Sequence, residues 1–349
     1  MGTESKLSSA PPAPTSAPGP VAIHANLDAE ATWAGVVLPL RIRERLAATA
    51  ALLAALAPAG TSTEVWAPAP VDPARLRRAP GWPPPILRVG TPPRADLAWA
   101  TPDARAANDR RLSLALAHEL GVALPGARVI ASRAALVAHL AAGGADASPD
   151  QRWVCKAPFT AAGRDRAHGQ HAPTGELAAR IDNLLVRHGE LVFEPWLPRI
   201  ADAGITLAIA ADGRAIVAPP HGLLTTPTGG FLGIDTGADG LLPAERAQLV
   251  TIAYAVAARV AATGYRGPLG LDAFAHTRAD GSRAFHPLCE LNARFTFGAV
   301  ARALASRLGP AARVLGFGPP PPDAIILVAP AADPFCAWVA GHPRVDPSG

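Results

Sequence analysis

Polar and apolar residues alternate strictly from Glu290 to Arg294, with Glu290, Asn292 and Arg294 on one side of the pattern and Leu291 and Ala293 on the other. Alternate strand residues share a face, so the pattern predicts a strand with a polar face and a buried face. Pro268 to His276 and Arg283 to Leu291 are strand-like, and Asp280-Gly281 between them is a turn signal, so the region reads as a hairpin. Short apolar runs at Glu64 to Ala67, Ile86 to Val89, Asp96 to Ala100, Arg128 to Ala131, Gln151 to Pro158 and Glu190 to Phe193 predict further strands, and Asp212-Gly213 marks a second hairpin. Helical spacing predicts helices from about Leu40 to Leu56, from an Asn108 N-cap to Gly121, over Ser132 to Ala142, over Thr174 to His188, from Pro243 to Gly264, and from Gly298 to about Leu308. His221 to Asp235 reads as a loop rich in Gly and Thr, and Ala324 to Pro330 as a late strand.

The hairpin carries candidate chemistry. Asp272 lies on the first strand, and a register that sets it opposite Glu290 requires a loop of odd length; a two-residue loop would oppose it to Cys289 and turn it to the other face. Two facing carboxylates in a protein need a proton or a cation between them. With the Asn292 amide, the set Asp272, Glu290 and Asn292 suits Mg²⁺, or Mn²⁺, completed by water and phosphate oxygens. Arg294, on the same face, suits a phosphoryl or carboxylate group. The alternative is a solvated hairpin whose polar face meets water.

Other stretches add candidates. Lys156 sits in the otherwise apolar strand QRWVCKAP and needs an anionic partner. The following FTAAGRDRAHG, with Gly163, Arg164, Arg166 and His168, has the makings of a flap over phosphates or of an ordinary solvated loop. Arg110 and Arg111 stand in the first turn of a helix, where a cation calls for a nearby anion, either Asp109 or a contacted phosphate. Glu194-Pro195-Trp196-Leu197 breaks the alternation and frees backbone groups near large apolar side chains, which suits an adenine edge or a plain strand end. His221, Thr228, Gly229 and Gly230 are candidate substrate contacts in the Gly-rich run; a lone His is more often structural.

Composition narrows the class. The 349 residues are 49% hydrophobic and 17% charged, with a net charge of only +4, enough for several lobes around sizeable cores and without the basic, aromatic-interleaved patches of a nucleic-acid binder. Three cysteines, Cys155, Cys289 and Cys336, have no metal-binding spacing and cannot all pair, so a reducing cytoplasm is the expectation. No membrane partner is expected. Residues 1–20, rich in Pro, Ser and Ala, read as a disordered arm.

The order of these elements, an Arg near a helix start, a strand Lys, a Gly loop, a Glu-Pro hinge, the Asp of LGLDAF and then ELNAR, resembles the ATP-grasp superfamily over about Asn108 to Leu308. The resemblance implies an α/β protein of α+β lobes: a small N-terminal α/β domain (21–105), a small lobe with a phosphate flap (106–190), a large lobe with the metal site (191–310) and a C-terminal strand and tail (311–349). It implies ATP and Mg²⁺ (or Mn²⁺) as cofactors and ligation of a small-molecule carboxylate to an amine or thiol through an acyl phosphate. Lys156, with Arg110 or Arg111 and the flap residues Gly163 and Arg164, would contact ATP phosphates; Glu194 and Leu197 would offer backbone groups to adenine, and Asp202 would sit near the ribose. Asp272, Glu290 and Asn292 would hold the metal, with Arg294 facing the transferred phosphoryl group. A homodimer stays open, as do two rival activities: a non-catalytic ATP-binding module and a phosphotransferase.

Overall fold

The computed structural model describes residues 19–159, 165–331 and 334–341. It is an α/β structure of three sheets. The first is wholly parallel, with β1 (Val21–His24), β2 (Thr63–Ala67), β3 (Ile86–Val89) and β4 (Leu97–Ala98) in the order β3-β2-β1-β4. After β1 come α1 (Ala29–Trp33) and α2 (Leu40–Ala50), the latter continuing as a tighter 3₁₀ segment to Leu56. Its buried face is Ala47, Ala48, Ala50 and Ala51 with Leu52 and Leu53, small side chains that let the helix lie close on the sheet.

α3 (Arg110–Glu119) leads into the second sheet, which is antiparallel in the order β5-β8-β6-β7: β5 (Arg128–Ile130), β6 (Arg152–Lys156), β7 (Arg166–Gln170) and β8 (Leu191–Pro195). α4 (Arg133–Ala141) is capped by Ser132, whose hydroxyl accepts from the Ala135 amide at 3.1 Å. α5 (Gly175–His188) ends at Gly189, which has φ +76°. Trp153, Cys155 and Phe193 share one sheet face and pack with Leu136, Ile181 and Leu184 of the two helices. Alternation then turns Val154, Lys156, Val192 and Glu194 to the opposite face, away from the helices.

The third sheet holds β9 (Arg199–Ile209), β10 (Ala215–Val217), β11 (His221–Thr225), β12 (Phe231–Asp235), β13 (Gly267–Thr277), β14 (Arg283–Asn292), β15 (Val314–Phe317), β16 (Ile325–Val328) and β17 (Ala337–Ala340). α6 (Pro243–Ala262) covers one face through Leu249, Ala253, Val256 and Val260, which meet Ala203, Ile205 and Leu207 of β9 and Leu269, Leu271 and Ala273 of β13. The intervening residues Asp202, Gly204, Gly270, Asp272 and Phe274 therefore face the other way, toward α7 (Phe297–Leu308) and the other two sheets.

Several boundaries differ from the sequence expectation. His221 to Asp235 is a hairpin, β11 paired with β12 across the Thr226–Gly230 turn, and the glycines masked its alternation. β8 belongs to the small-lobe sheet through β5 and β6, although the sequence boundary placed it in the following lobe; strand order is set by non-local pairing that local pattern does not carry. Among the described residues, the C-terminal stretch supplies three strands where the sequence suggested one. These share a core with the N-terminal sheet, where Ile23, Val65 and Trp82 pack with Leu315, Leu327 and Val339, and Arg75 ties the two by donating to the Ala329 and Phe335 carbonyls at 2.9 and 3.0 Å. Asp109, not Asn108, caps α3, accepting from the Arg111 amide at 2.9 Å.

Leu249→Ala should open a cavity between α6 and the large sheet, on the face remote from the polar cleft. A loss of about 3 kcal/mol is expected for a fully buried leucine; urea unfolding followed by circular dichroism checks it, and an unchanged midpoint would contradict this packing.

Candidate functional site

The polar faces of the second and third sheets meet in a cleft. Asp272 lies opposite Glu290 and next to Gly204, so the odd-loop pairing is the one that forms. Its origin is less direct than a simple hairpin. Near the turn Thr277 pairs with Arg283, and the register then shifts by two residues where Pro287, Leu288 and Cys289 bulge opposite Ala273. Pro287 has no amide to continue the ladder, and a two-residue slip keeps every side chain on its own face.

The Asp272 carboxyl is pushed up to about 7 by burial and by Glu290 across the strand, against the pull of Arg294. Asn292 follows on the same face, and its side-chain oxygen accepts from Arg294 Nη2 at 2.9 Å. Arg294 also donates to the Phe295 carbonyl, pairs with Glu30 of α1, and stacks over Trp99 at 5.2 Å. Asn108 holds the end of this strand from outside: its amide accepts from the Ala293 amide at 2.9 Å and donates to the Ala293 carbonyl at 3.0 Å, so Ala293 is fixed between Asn292 and Arg294.

From the small lobe, Lys156 Nζ donates to Glu194 Oε2 at 2.6 Å, with both side chains nearly enclosed, at 12% and 11% exposure. Burial opposes the lysine charge, and the Glu194 carboxylate more than offsets it, so the ammonium is held above its ordinary value; Lys156 in turn holds Glu194 below its own. Arg110 donates to Glu290 Oε1 at 2.9 Å and to the Ala157 carbonyl at 3.1 Å. Arg111 points elsewhere, pairing with Asp109 and Glu190, so of the two candidate arginines only Arg110 reaches the cleft. Arg199 pairs with Asp202 at 2.5 Å and covers the Phe274 ring at 4.2 Å, while Thr225 donates to the other Asp202 oxygen at 2.8 Å. Arg166 donates to the Thr228 carbonyl at 3.0 Å, and burial together with Arg199 and Arg110 lowers its pKa. Cys289 is also here, its thiol pushed up to about 11 by burial, which keeps it un-ionised.

The hinge differs from expectation in one respect. The Trp196 amide donates to the Arg152 carbonyl at 2.8 Å, and in an antiparallel ladder the bonded pairs alternate, so Glu194 faces Val154 as another bonded pair. Its backbone is thus committed to β6, and Glu194 enters the cleft by its side chain. The Pro195 carbonyl and the Leu197 amide face the opposite edge, with Leu197 buried beside Phe274. Of the candidate substrate contacts, Thr228, Gly229 and Gly230 form the turn beside Arg166 and Trp196. His221 is apart from them: it is 3% exposed, and its ring lies so close to Gly204 and Gly298 that a Cβ on either would run into it. Gly163 and Arg164 lie outside the described residues. Arg166 belongs to the flap stretch the sequence singled out; Glu30, Asn108 and Arg199 escaped as site residues, and of these only Arg199, a cation close to the hinge, carried a signal. A cavity of about 540 Å³ opens on the far side of the hinge, beside Leu197, His276 and Phe285, and includes none of the cleft's ion pairs.

No protein-family model matches the sequence, and no curated protein sequence does either. Solved structures do match. A phosphoribosylamine–glycine ligase from Thermotoga maritima superposes with a TM-score of 0.54 over 92% of this chain and 90% of that one, at 13% identity. A Rhizobium etli pyruvate carboxylase with the allosteric activator acetyl coenzyme-A gives a TM-score of 0.50 over 71% of this chain and 26% of that one, at 14% identity. The N5-carboxyaminoimidazole synthetase of Staphylococcus aureus, complexed with ADP, matches at 10% identity over 57% of this chain and about half of its own length, 48%, and its TM-score of 0.42 adds no weight. The first two are ATP-grasp enzymes. The chain has the ATP-grasp fold.

His221 is held neutral, lowered to about 3 by burial and then by Arg302. The unfolded chain takes up its proton near pH 6.5 and the folded one does not, so this contribution to stability is intact above pH 6.5 and is lost as pH falls toward 3. His168 and His286, both lowered to about 4, act with the same sign. Urea midpoints measured from pH 7 to 4 should fall, and should fall less steeply in His221→Gln; equal slopes would contradict a buried neutral ring.

Proposed function

We propose that the protein is an ATP-dependent ligase that joins a small carboxylate to an amine through an acyl phosphate, releasing ADP and phosphate. The observation that carries this reading is the pair of facing carboxylates, Asp272 and Glu290, beside a group of cations in one cleft of an ATP-grasp fold. A cation between the two acids would offset the burial and the Glu290 charge that together raise the Asp272 pKa. Among the described residues no three His, Cys, Asp or Glu side chains form a metal cage. Two carboxylates and the Asn292 amide suit Mg²⁺, which retains positions for phosphate oxygens and water. When bound there, the metal would neutralise charge on the phosphates.

The chain's own groups have separable tasks. Lys156, Arg110 and Arg166 bring positive charge to the polyphosphate of ATP, and their present partners, Glu194, Glu290 and the Thr228 carbonyl, keep them extended into the cleft. The Leu197 amide and Pro195 carbonyl suit an adenine edge, and Asp202 suits a ribose hydroxyl. A substrate carboxylate oxygen attacks the γ-phosphorus, the bond from that phosphorus to the ADP oxygen breaks, and Arg294 offsets charge on the acyl phosphate formed. An amine nitrogen then attacks the acyl carbon, the carbon–oxygen bond to phosphate breaks, and the amine gives up its proton. The lobe assignments 21–105, 106–190 and 191–310 belong to this proposal, with β8 moved into the small lobe.

ADP and phosphate release from MgATP in pooled carboxylates and amines tests the reading; AMP and pyrophosphate, or release indifferent to both pools, would overturn it. Lys156→Gln should lower kcat by about 10²–10³-fold, as loss of one preorganised electrostatic donor does. Glu290→Gln should abolish turnover while the circular dichroism spectrum is retained, and full activity in that variant would remove the metal assignment.

A further inference from the structure

The chain is poor in aromatic residues, at 5%, yet four of its nine phenylalanines gather at one place. Phe297 opens α7 three residues after Arg294. Phe231 stacks on Phe297 at 6.0 Å, Phe317 meets Phe297 at 5.2 Å and Phe231 at 5.7 Å, and Phe335 stacks on Phe317 at 6.0 Å. Trp99 closes the path back to the cleft, lying 5.2 Å from Phe297 on one side and 5.2 Å from the Arg294 guanidinium on the other. Phe335 is buried beneath the group, and the other three rings are only partly covered: Phe231 is 40% exposed, and Phe297 and Phe317 are half-buried.

Phe231 follows the Thr226–Gly230 turn, whose Thr228 carbonyl already bonds Arg166, so the aromatic surface begins where the cation cluster ends. One exposed phenylalanine needs no explanation, but a contiguous group at the rim of a charged cleft does. A guanidinium at one end with flat, partly exposed apolar rings at the other complements a molecule with a carboxylate head and an aromatic body. We propose that the carboxylate substrate of this protein bears an aromatic or similarly flat apolar group, which lies on Phe231, Phe297 and Phe317 while its carboxylate lies toward Arg294. This inference rests on the ligase reading above, and adds a substrate class to it.

The test pairs 3-phenylpropanoate with butanoate, and L-phenylalanine with L-alanine, using the full chain with MgATP and hydroxylamine as the amine, and reads both ADP release and binding of each acid by calorimetry. The aromatic member of each pair should be favoured by about tenfold or more in kcat/KM and in Kd. Phe231→Ala should remove most of that preference and Phe231→Leu should restore part of it; because Phe231 is partly exposed, both variants should fold. Turnover of butanoate or L-alanine at equal or greater kcat/KM, or a preference untouched in Phe231→Ala, overturns the substrate class and leaves the ligase reading standing. Absence of ADP release with these four acids, where the pooled carboxylates do support it, overturns the substrate class; absence with the pools as well overturns the ligase reading, and calorimetry then decides the aromatic surface alone: equal binding of aromatic and aliphatic acids rejects it.

Discussion

Charge balance inside a nearly closed cleft is the constraint on which the remaining structure depends. Lys156, Arg110, Arg199 and Arg294 each enter from a different element, and each meets an acid: Glu194, Glu290, Asp202 and Glu30. A buried ion without a partner costs several kcal/mol, and the two pairs that join separate parts of the fold, Arg110 with Glu290 and Arg294 with Glu30, hold those parts together. Asp272 is the acid left over. Burial and the Glu290 carboxylate across the strand together raise its pKa, against the pull of Arg294 and Arg199, so it is the position that would gain most from a bound cation.

The N-terminal lobe acquires a role from the same accounting of charges. Its sheet carries no phosphate-binding glycine loop, yet α1 sends Glu30 to Arg294, and Trp99, just past β4, supplies the ring beneath that guanidinium. Asn108, in the connection to α3, fastens the backbone of Ala293. A lobe that shares its core with the C-terminal strands thus positions Arg294, just past the end of β14, and Trp99 carries the same line on to Phe297.

Much of the site was legible because strand alternation is a local property. Glu290, Asn292 and Arg294 share a face whatever surrounds them, and an Asp on the partner strand faces Glu290 if the slip between them is even, which the Pro287 bulge preserves. Lys156 was legible for a different reason: a lysine amid Trp153, Val154 and Cys155 requires an anion, and Glu194 provides it. The choice between Arg110 and Arg111 was not legible, since the two differ only by the 100° turn of a helix whose orientation the sequence leaves free. Nor was the true strand character of His221 to Asp235, where glycines needed for close approach interrupt the alternation.

By itself, then, the sequence determined which side chains share a face and which of them could not be buried alone, because period and desolvation act over a few residues. Only the tertiary structure decided which cation meets which acid, that β8 joins the small lobe, that the Glu194 backbone is spent on β6 while its carboxylate serves Lys156, and that four scattered phenylalanines form one cluster. Arg294 and Glu30 stand 264 residues apart. Their pairing is set by how three sheets pack, and packing depends on the whole of each buried face rather than on any stretch of chain.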